Sequence, residues 1–375
     1  MQIIDIDQLI PGMVAAEDVL SYSYQLIVPK GTVLTDKMIT RLEFYSVPSV
    51  KIAEFPKESS RFSSQNVRID TPQTDSPVSK DSDGAAYSAL IQSSPEFKKF
   101  QKDFDETIDQ FKDNLNDIVQ KGADVNTEAL LTQASALIGD TSTNFDFFHM
   151  LHNMRQYDDL TFAHCMNVAL ISNILAGWLG MSEEDIKTAT LCGLLHDIGK
   201  LAIPDHIIKK PAKLTREEYE IVKTHTIQGY QILKDQDISI HVKNSALMHH
   251  EKCDGSGYPF GLKGNKIDSF AKIVGIADVY EAMTAARVYR GPLCPFQVID
   301  IFEKEGLQKY EAAYILKFLE NVVMTYMNNR VRLSDGTEGD IVYINHAQLS
   351  RPMIKSGQKF IDLSILPDLY IEQII

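Results

Sequence analysis

The stretch His249-His250-Glu251-Lys252-Cys253-Asp254-Gly255-Ser256-Gly257-Tyr258-Pro259 sets two adjacent imidazoles and a carboxylate ahead of a turn rich in glycine and closed by proline. Packing does not require that order, and it reads as half of a metal site followed by a shaped substrate loop. Four further elements of the chain present histidine or aspartate within apolar, helix-like patterns: His164, the pair His196-Asp197, His225 and Asp278. A lone histidine on an apolar face is more often a satisfied core residue than a ligand. Taken together these residues point elsewhere, because imidazoles and carboxylates converging inside a helical bundle are how such bundles bind metals.

The elements that must position these residues are mostly helical. Asn167 to Leu179, Glu183 to Leu195, Arg216 to Leu233, Ile240 to His250, Ala271 to Ala286, Pro295 to Glu305 and Glu311 to Met327 show helical spacing or helix-forming composition, separated by loops rich in Gly, Pro and Asp. We therefore expect a catalytic domain over 141–329. Ahead of it, Phe97, Phe100, Phe104, Ile108, Phe111, Leu115 and Ile118 recur at spacings of three and four, one stripe of a long helix within a segment 86–140. The stripe either packs on its own domain or forms the coiled-coil seam of a homodimer.

Residues 1–55 carry short apolar runs between turn signals such as Pro11-Gly12 and Pro29-Lys30-Gly31, a small β-rich module with one helix from Asp36 to Tyr45. The Ser-, Pro-, Asp- and Lys-rich run 56–85 has too few large apolar residues to offset its ordering entropy and reads as a linker. From 330 to 375 strand signals return, at Arg330 to Leu333, Gly339 to Ile344 and Phe360 to Leu363, as a short β appendage.

The net charge of -14 and pI near 5.2 argue against duplex nucleic acid as a partner, since such binding needs a basic face. The 4 cysteines, Cys165, Cys192, Cys253 and Cys294, form no paired motif and fit reduced thiols in a cytoplasmic protein. Cys165 and Cys253 neighbour candidate ligands and read as bystanders. The N-terminus lacks the basic and apolar regions of a signal peptide, and the longest apolar run, Val168 to Gly180, is too short and too interrupted to span a bilayer.

Leu195-His196-Asp197-Ile198-Gly199-Lys200 resembles the HD signature of the metal-dependent HD-domain phosphohydrolases. The Gly257-Tyr258-Pro259 loop resembles the HD-GYP subfamily, whose members hydrolyse cyclic di-GMP. The resemblance runs from Asp158 to Arg290 and includes Asp158-Asp159-Leu160-Thr161 ahead of His164, Ile276 to Thr284 around Asp278, and Arg287 with Tyr289-Arg290. It implies a mostly α fold with an HD-type helical bundle. It also implies that His164, His196, Asp197 and Asp278 hold one metal, while Asp197 bridges to a second held by His225, His249 and His250. Lys200 would bind the scissile phosphate, and Tyr258, Arg287 and Arg290 the rest of the dinucleotide.

Hydrolysing a phosphodiester at neutral pH needs a strong nucleophile and relief of charge on phosphorus oxygens, and two neighbouring metals supply both through a bridging hydroxide. The expected products are linear pGpG and then GMP. Mixed imidazole and carboxylate ligation favours iron, manganese, nickel or zinc over magnesium, and the family points to iron or manganese. Some members use a Glu four residues before the first ligand histidine to help hold a third metal. Here that position is Leu160, which favours two metals, with Asp158 or Asp159 in reach. Thr226 replaces the usual Pro after His225. Two other readings stay open: a receptor or adaptor that binds a cyclic dinucleotide without turning it over, and a phosphodiesterase for a different cyclic dinucleotide.

Overall fold

The computed structural model describes residues 2–20, 26–35, 38, 39, 42, 47, 49–54, 94–139, 147, 148, 150, 151, 160–210, 212, 214–285 and 293–375. The chain divides into two compact units, Met1–Tyr87 and Ser88–Ile375. The expected linker at 56–85 lies outside the described residues.

In the first unit, strands β1 (Gln2–Asp5), β5 (Ser49–Glu54) and β2 (Val14–Ala15) form an antiparallel sheet in the order β1-β5-β2. Strands β3 (Val19–Leu20) and β4 (Leu26–Val28) form a separate pair. Ile4, Ala15, Val50 and Ile52 from the sheet close a core with Leu9, Leu34 and Leu42. Of the expected helix from Asp36 to Tyr45, Met38, Ile39 and Leu42 are helical and the other positions lie outside the described residues.

The second unit opens with α1 (Pro95–Lys121), started by Ser94, whose side chain accepts from the Phe97 N–H, and stopped by Gly122 in the left-handed region at φ 65°. All of Phe97, Phe100, Phe104, Ile108, Phe111, Leu115 and Ile118 are buried within this single chain. The ring of Phe100 meets Phe147 edge-on at 6.5 Å, and Phe111 meets Phe162 at 6.3 Å. This corrects one of the two expectations for the stripe. A fully buried Phe contributes about 1.5–3 kcal/mol, and here the chain's own rings take that surface, so these residues cannot also be the seam of a homodimer.

After α2 (Thr127–Gly139) come α3 (Leu160–Trp178) and α4 (Glu183–Leu195), which cross at close range. A Cβ at Gly193 would lie 2.4 Å from Ala169 Cα, so only glycine permits the approach. α3 begins a full two turns earlier than the Asn167 expected, which puts His164 inside the helix. A short 3-10 turn (Ile198–Ala202) and α5 (Asp205–Ile208) follow.

The single helix expected from Arg216 to Leu233 is two, α6 (Arg216–Lys223) and α7 (His225–Leu233). The break has a local cause. The Thr224 hydroxyl donates to Ile221 O at 2.6 Å, His225 Nδ1 to Val222 O at 2.7 Å and the Thr226 hydroxyl to Lys223 O at 3.1 Å. Side chains thus take three successive carbonyls at the end of α6, in competition with the helical ladder. Gly199 of the 3-10 turn lies on the start of α7, where a Cβ would meet His225 O at 1.9 Å and Gly229 N at 2.5 Å.

Helices α8 (Ile240–Met248) and α9 (Ser269–Thr284) complete the surround of the histidine cluster. α10 (Pro295–Ile301) does not run on to Glu305 as a regular helix but widens into a π turn (Phe302–Gly306) before α11 (Leu307–Lys309) and α12 (Ala312–Thr325). The C-terminal strands β6 (Arg330–Leu333), β7 (Glu338–Tyr343), β8 (Met353–Ser356), β9 (Lys359–Asp362) and β10 (Ile371–Ile374) form an antiparallel sheet in the order β10-β6-β7-β8-β9. No helix among the described residues is long and apolar enough to cross a membrane.

Candidate metal centre

Five elements deliver the chemistry. His164 comes from α3, His196 and Asp197 from the end of α4, His225 from the first position of α7, His249 and His250 from the end of α8, and Asp278 from α9. Three imidazoles are aimed by the backbone: His196 Nδ1 donates to Gly193 O at 2.7 Å, His225 Nδ1 to Val222 O at 2.7 Å and His249 Nδ1 to Ser245 O at 2.9 Å. With each Nδ1 proton spoken for, Nε2 carries the lone pair and faces inward.

Asp197 is the hinge of the geometry. Its Oδ1 lies 3.2 Å from His225 Nε2 and 3.6 Å from His249 Nε2, while its Oδ2 lies 3.2 Å from His196 Nε2 and 3.5 Å from His164 Nε2. Asp278 adds Oδ1 at 3.1 Å from His164 Nε2 and Oδ2 at 3.6 Å from His250 Nδ1. Ligand atoms of Asp197, His225, His249 and His250 all fall within 4.8 Å of one another, as do those of His164, His196 and Asp278. Among the described residues, His196 Nε2 and Asp197 Oδ1 are buried without a hydrogen-bond partner. Burying such atoms unsatisfied is costly, and a cation in each of the two groups would satisfy one of them, so the donor set fits metal.

The electrostatics agree at the two aspartates and at His249 and His250. Burial disfavours the charge on Asp197, yet His196, Lys200 and the surrounding imidazoles hold its carboxyl well below the usual range, and the same balance, with His164 foremost, lowers Asp278. Burial pushes the His249 imidazole down to about 4 and, with His249 beside it, His250 well down too, so both imidazoles are neutral at pH 7. Cys165 offers Sγ to a group with His196 and Asp197. Burial, and then the charge of Asp197, push its thiol well above the ordinary value.

Lys200 reaches the site from the 3-10 turn, and its ammonium donates to Asp197 Oδ2. Tyr258 stacks on His250 at 4.6 Å between centroids with the rings 28° apart. The loop that carries it is held from beneath: Glu251 accepts from Phe260 N at 2.7 Å and from Leu262 N at 2.8 Å, and buried Lys252 donates to Tyr310 OH at 2.9 Å. Gly255 supplies a left-handed turn at φ 86°. Gly257 serves differently, since a Cβ there would lie 2.4 Å from Glu251 Cα, His250 O and Lys252 N. Arg287 and Arg290, along with Asp158 and Asp159, lie outside the described residues.

Glu281 is the residue that sequence reasoning missed. Its Oε2 accepts from His164 Nδ1 at 2.5 Å and its Oε1 from Asn167 Nδ2 at 3.1 Å. Its signal was its place three residues after Asp278 on α9, which puts both carboxylates on one helix face. A carboxylate behind a ligating imidazole fixes ring aim and basicity. Glu281→Gln is therefore expected to weaken metal binding by about 10- to 100-fold, read by chelator competition with elemental analysis. Unchanged affinity would mean that packing alone aims His164.

A family model described as an HD domain matches residues 142–314. A cyclic di-GMP phosphodiesterase of Pseudomonas aeruginosa is 33% identical over 207 residues, covering 55% of this chain and 50% of that protein. A cyclic di-GMP phosphodiesterase of Thermotoga maritima is 41% identical over 151 residues, 40% of this chain and 41% of its own length. A 3'3'-cGAMP-specific phosphodiesterase of Vibrio cholerae is 42% identical over 145 residues, 39% of this chain and 34% of its own. The chain thus spans half or less of the length of these curated relatives. The match to the HD-domain model takes in the histidines and aspartates gathered between the helices. The Gly257-Tyr258-Pro259 loop resembles that of the HD-GYP subfamily.

Proposed function

We propose that this chain hydrolyses the phosphodiester bonds of cyclic di-GMP to linear pGpG, and onward to GMP, using two divalent transition-metal ions, iron or manganese, in the cytoplasm. The observation that carries the reading is Asp197, buried with one oxygen toward His225 and His249 and the other toward His164 and His196. In this assignment His164, His196, Asp197 and Asp278 hold one ion, and His225, His249 and His250 share Asp197 to hold the other. When bound, two such ions supply an activated water nucleophile and offset charge on the phosphate oxygens.

The remaining work falls to the chain itself. Lys200, whose ammonium borders Asp197, binds the scissile phosphate and offsets its charge. Tyr258, rigid against His250 and backed by Glu251, lines the dinucleotide pocket. Arg287 and Arg290 are assigned to the distal part of the substrate by family resemblance. The relatives named as cyclic di-GMP phosphodiesterases support the choice of substrate. A relative named as specific for 3'3'-cGAMP makes a mixed guanine and adenine dinucleotide the second reading.

The test is turnover by the purified, metal-loaded chain, followed by chromatography of products from cyclic di-GMP and 3'3'-cGAMP. Formation of pGpG, lost in His196→Ala, supports the first reading, and faster cleavage of 3'3'-cGAMP supports the second. Tight binding with no product would make the chain a receptor.

A further inference from the structure

Beside the histidine cluster, a cation that none of the roles above employs sits between two aromatic rings. Lys223, the last residue of α6, places Nζ 5.4 Å from the ring centroid of Tyr219 and 5.7 Å from that of Tyr258. Since Tyr258 in turn stacks on His250, this arrangement is continuous with the metal-ligand cluster. α6 buries none of its residues, and Tyr219 is 45% exposed. An exposed aromatic ring and a lysine side chain that is 26% exposed therefore lie at the edge of the site, on the helix that leads into His225. The ion-pair partner of Lys223 is Glu220, at 2.6 Å with its side chain 58% exposed. With its acceptor so open to water, the pair is readily exchanged for a ligand acceptor.

We propose that Tyr219 and Lys223 form a guanine-selecting subsite, in which the base stacks on the Tyr219 ring and the Lys223 ammonium donates to guanine O6 and N7. The proposal rests on the cyclic-dinucleotide reading and adds to it the residues that choose the base. Stacking on an aromatic ring tolerates any base, because every base has a π face. Choice must come from the edge. Guanine presents two acceptors there, O6 and N7, whereas adenine presents N7 beside the N6 amino donor. An ammonium has only protons to give, so it gains a contact at guanine and opposes the amino group of adenine. Tyr219 thus supplies affinity without preference, and Lys223 supplies preference.

The experiment compares KM and kcat for cyclic di-GMP and cyclic di-AMP in the metal-loaded wild type, Lys223→Met, Lys223→Arg and Tyr219→Ala, with metal content checked in each. Lys223→Met is expected to raise KM for cyclic di-GMP by about tenfold, with kcat and the cyclic di-AMP parameters held. Lys223→Arg, which keeps donors in place, should retain the preference, and Tyr219→Ala should raise KM for both substrates. An unchanged preference in Lys223→Met overturns the proposal, as does an equal loss for both substrates or a loss confined to kcat. If the wild type turns over neither compound, the proposed function fails while the subsite is still read by equilibrium dialysis of the two dinucleotides. Tighter cyclic di-GMP binding that disappears in Lys223→Met would then support it, and equal binding would overturn it.

Discussion

Asp197→Asn is expected to empty both ion positions at once and to lower turnover by about three orders of magnitude or more. The wild-type carboxylate offers one oxygen to His225 and His249 and the other to His164 and His196. An asparagine has a single acceptor oxygen, and its amide points protons at whichever imidazoles it faces. It also removes the carboxylate that neutralises Lys200, leaving a cation beside any incoming ion. His225→Ala should act differently, releasing the ion of its own group while the group of His164, His196 and Asp278 keeps its own. Elemental analysis of the two variants separates these outcomes. Two ions retained in Asp197→Asn would refute the bridging assignment.

The largest expected loss of stability comes from a residue with no chemistry. Gly199→Ala is expected to destabilise the fold by about 3 kcal/mol or more, because the new Cβ would sit 1.9 Å from His225 O and 2.5 Å from Gly229 N. Both obstacles are backbone and cannot rotate away. Relief requires α7 to move off the 3-10 turn, and His225 moves with it. Gly177→Ala is the matched control: nothing lies within 4 Å of its Cβ position on α3. That change should stabilise by about 0.5–1 kcal/mol. Urea midpoints of metal-free protein test both, and a Gly199→Ala midpoint equal to that of the wild type would rule out the close approach.

The clustering of histidines and aspartates was legible in the sequence because paired imidazoles and a His-Asp step inside apolar runs have no packing reason to exist. The long helix of Phe97 to Ile118 was legible for a different reason, its spacing. That spacing says a stripe must be covered and not by what, and the cover is found in rings such as Phe147 and Phe162. The break between α6 and α7 was illegible, since composition does not show that the Thr224 and Thr226 hydroxyls turn back to carbonyls. The same hydroxyl accounts for Thr226 where proline was expected.

Strand β10 was missed on physical grounds too. Its buried residues, Ile371 and Ile374, are three apart, and its pairing with β6 shifts register between Ile371 and Gln373. A bulge of this kind breaks the alternation by which a strand is recognised. Strand β8 buries only Ile354, too little to mark a pattern. Glu281 was visible as a residue and invisible as a partner, because its role depends on α3 and α9 lying side by side.

The tethering of His196, His225 and His249 to carbonyls three or four residues back has a consequence for selectivity. Each ring takes its bearing from the helix end that bears it, so the spacing of the inward nitrogens is gauged by how three helix ends are stacked. An ion of unsuitable radius cannot be accommodated by swivelling a side chain. It would have to part helices whose contacts, at Gly193 on Ala169 and at Gly199 on His225, are already backbone to backbone. The bundle is in this sense the caliper, and the imidazoles are only its jaws.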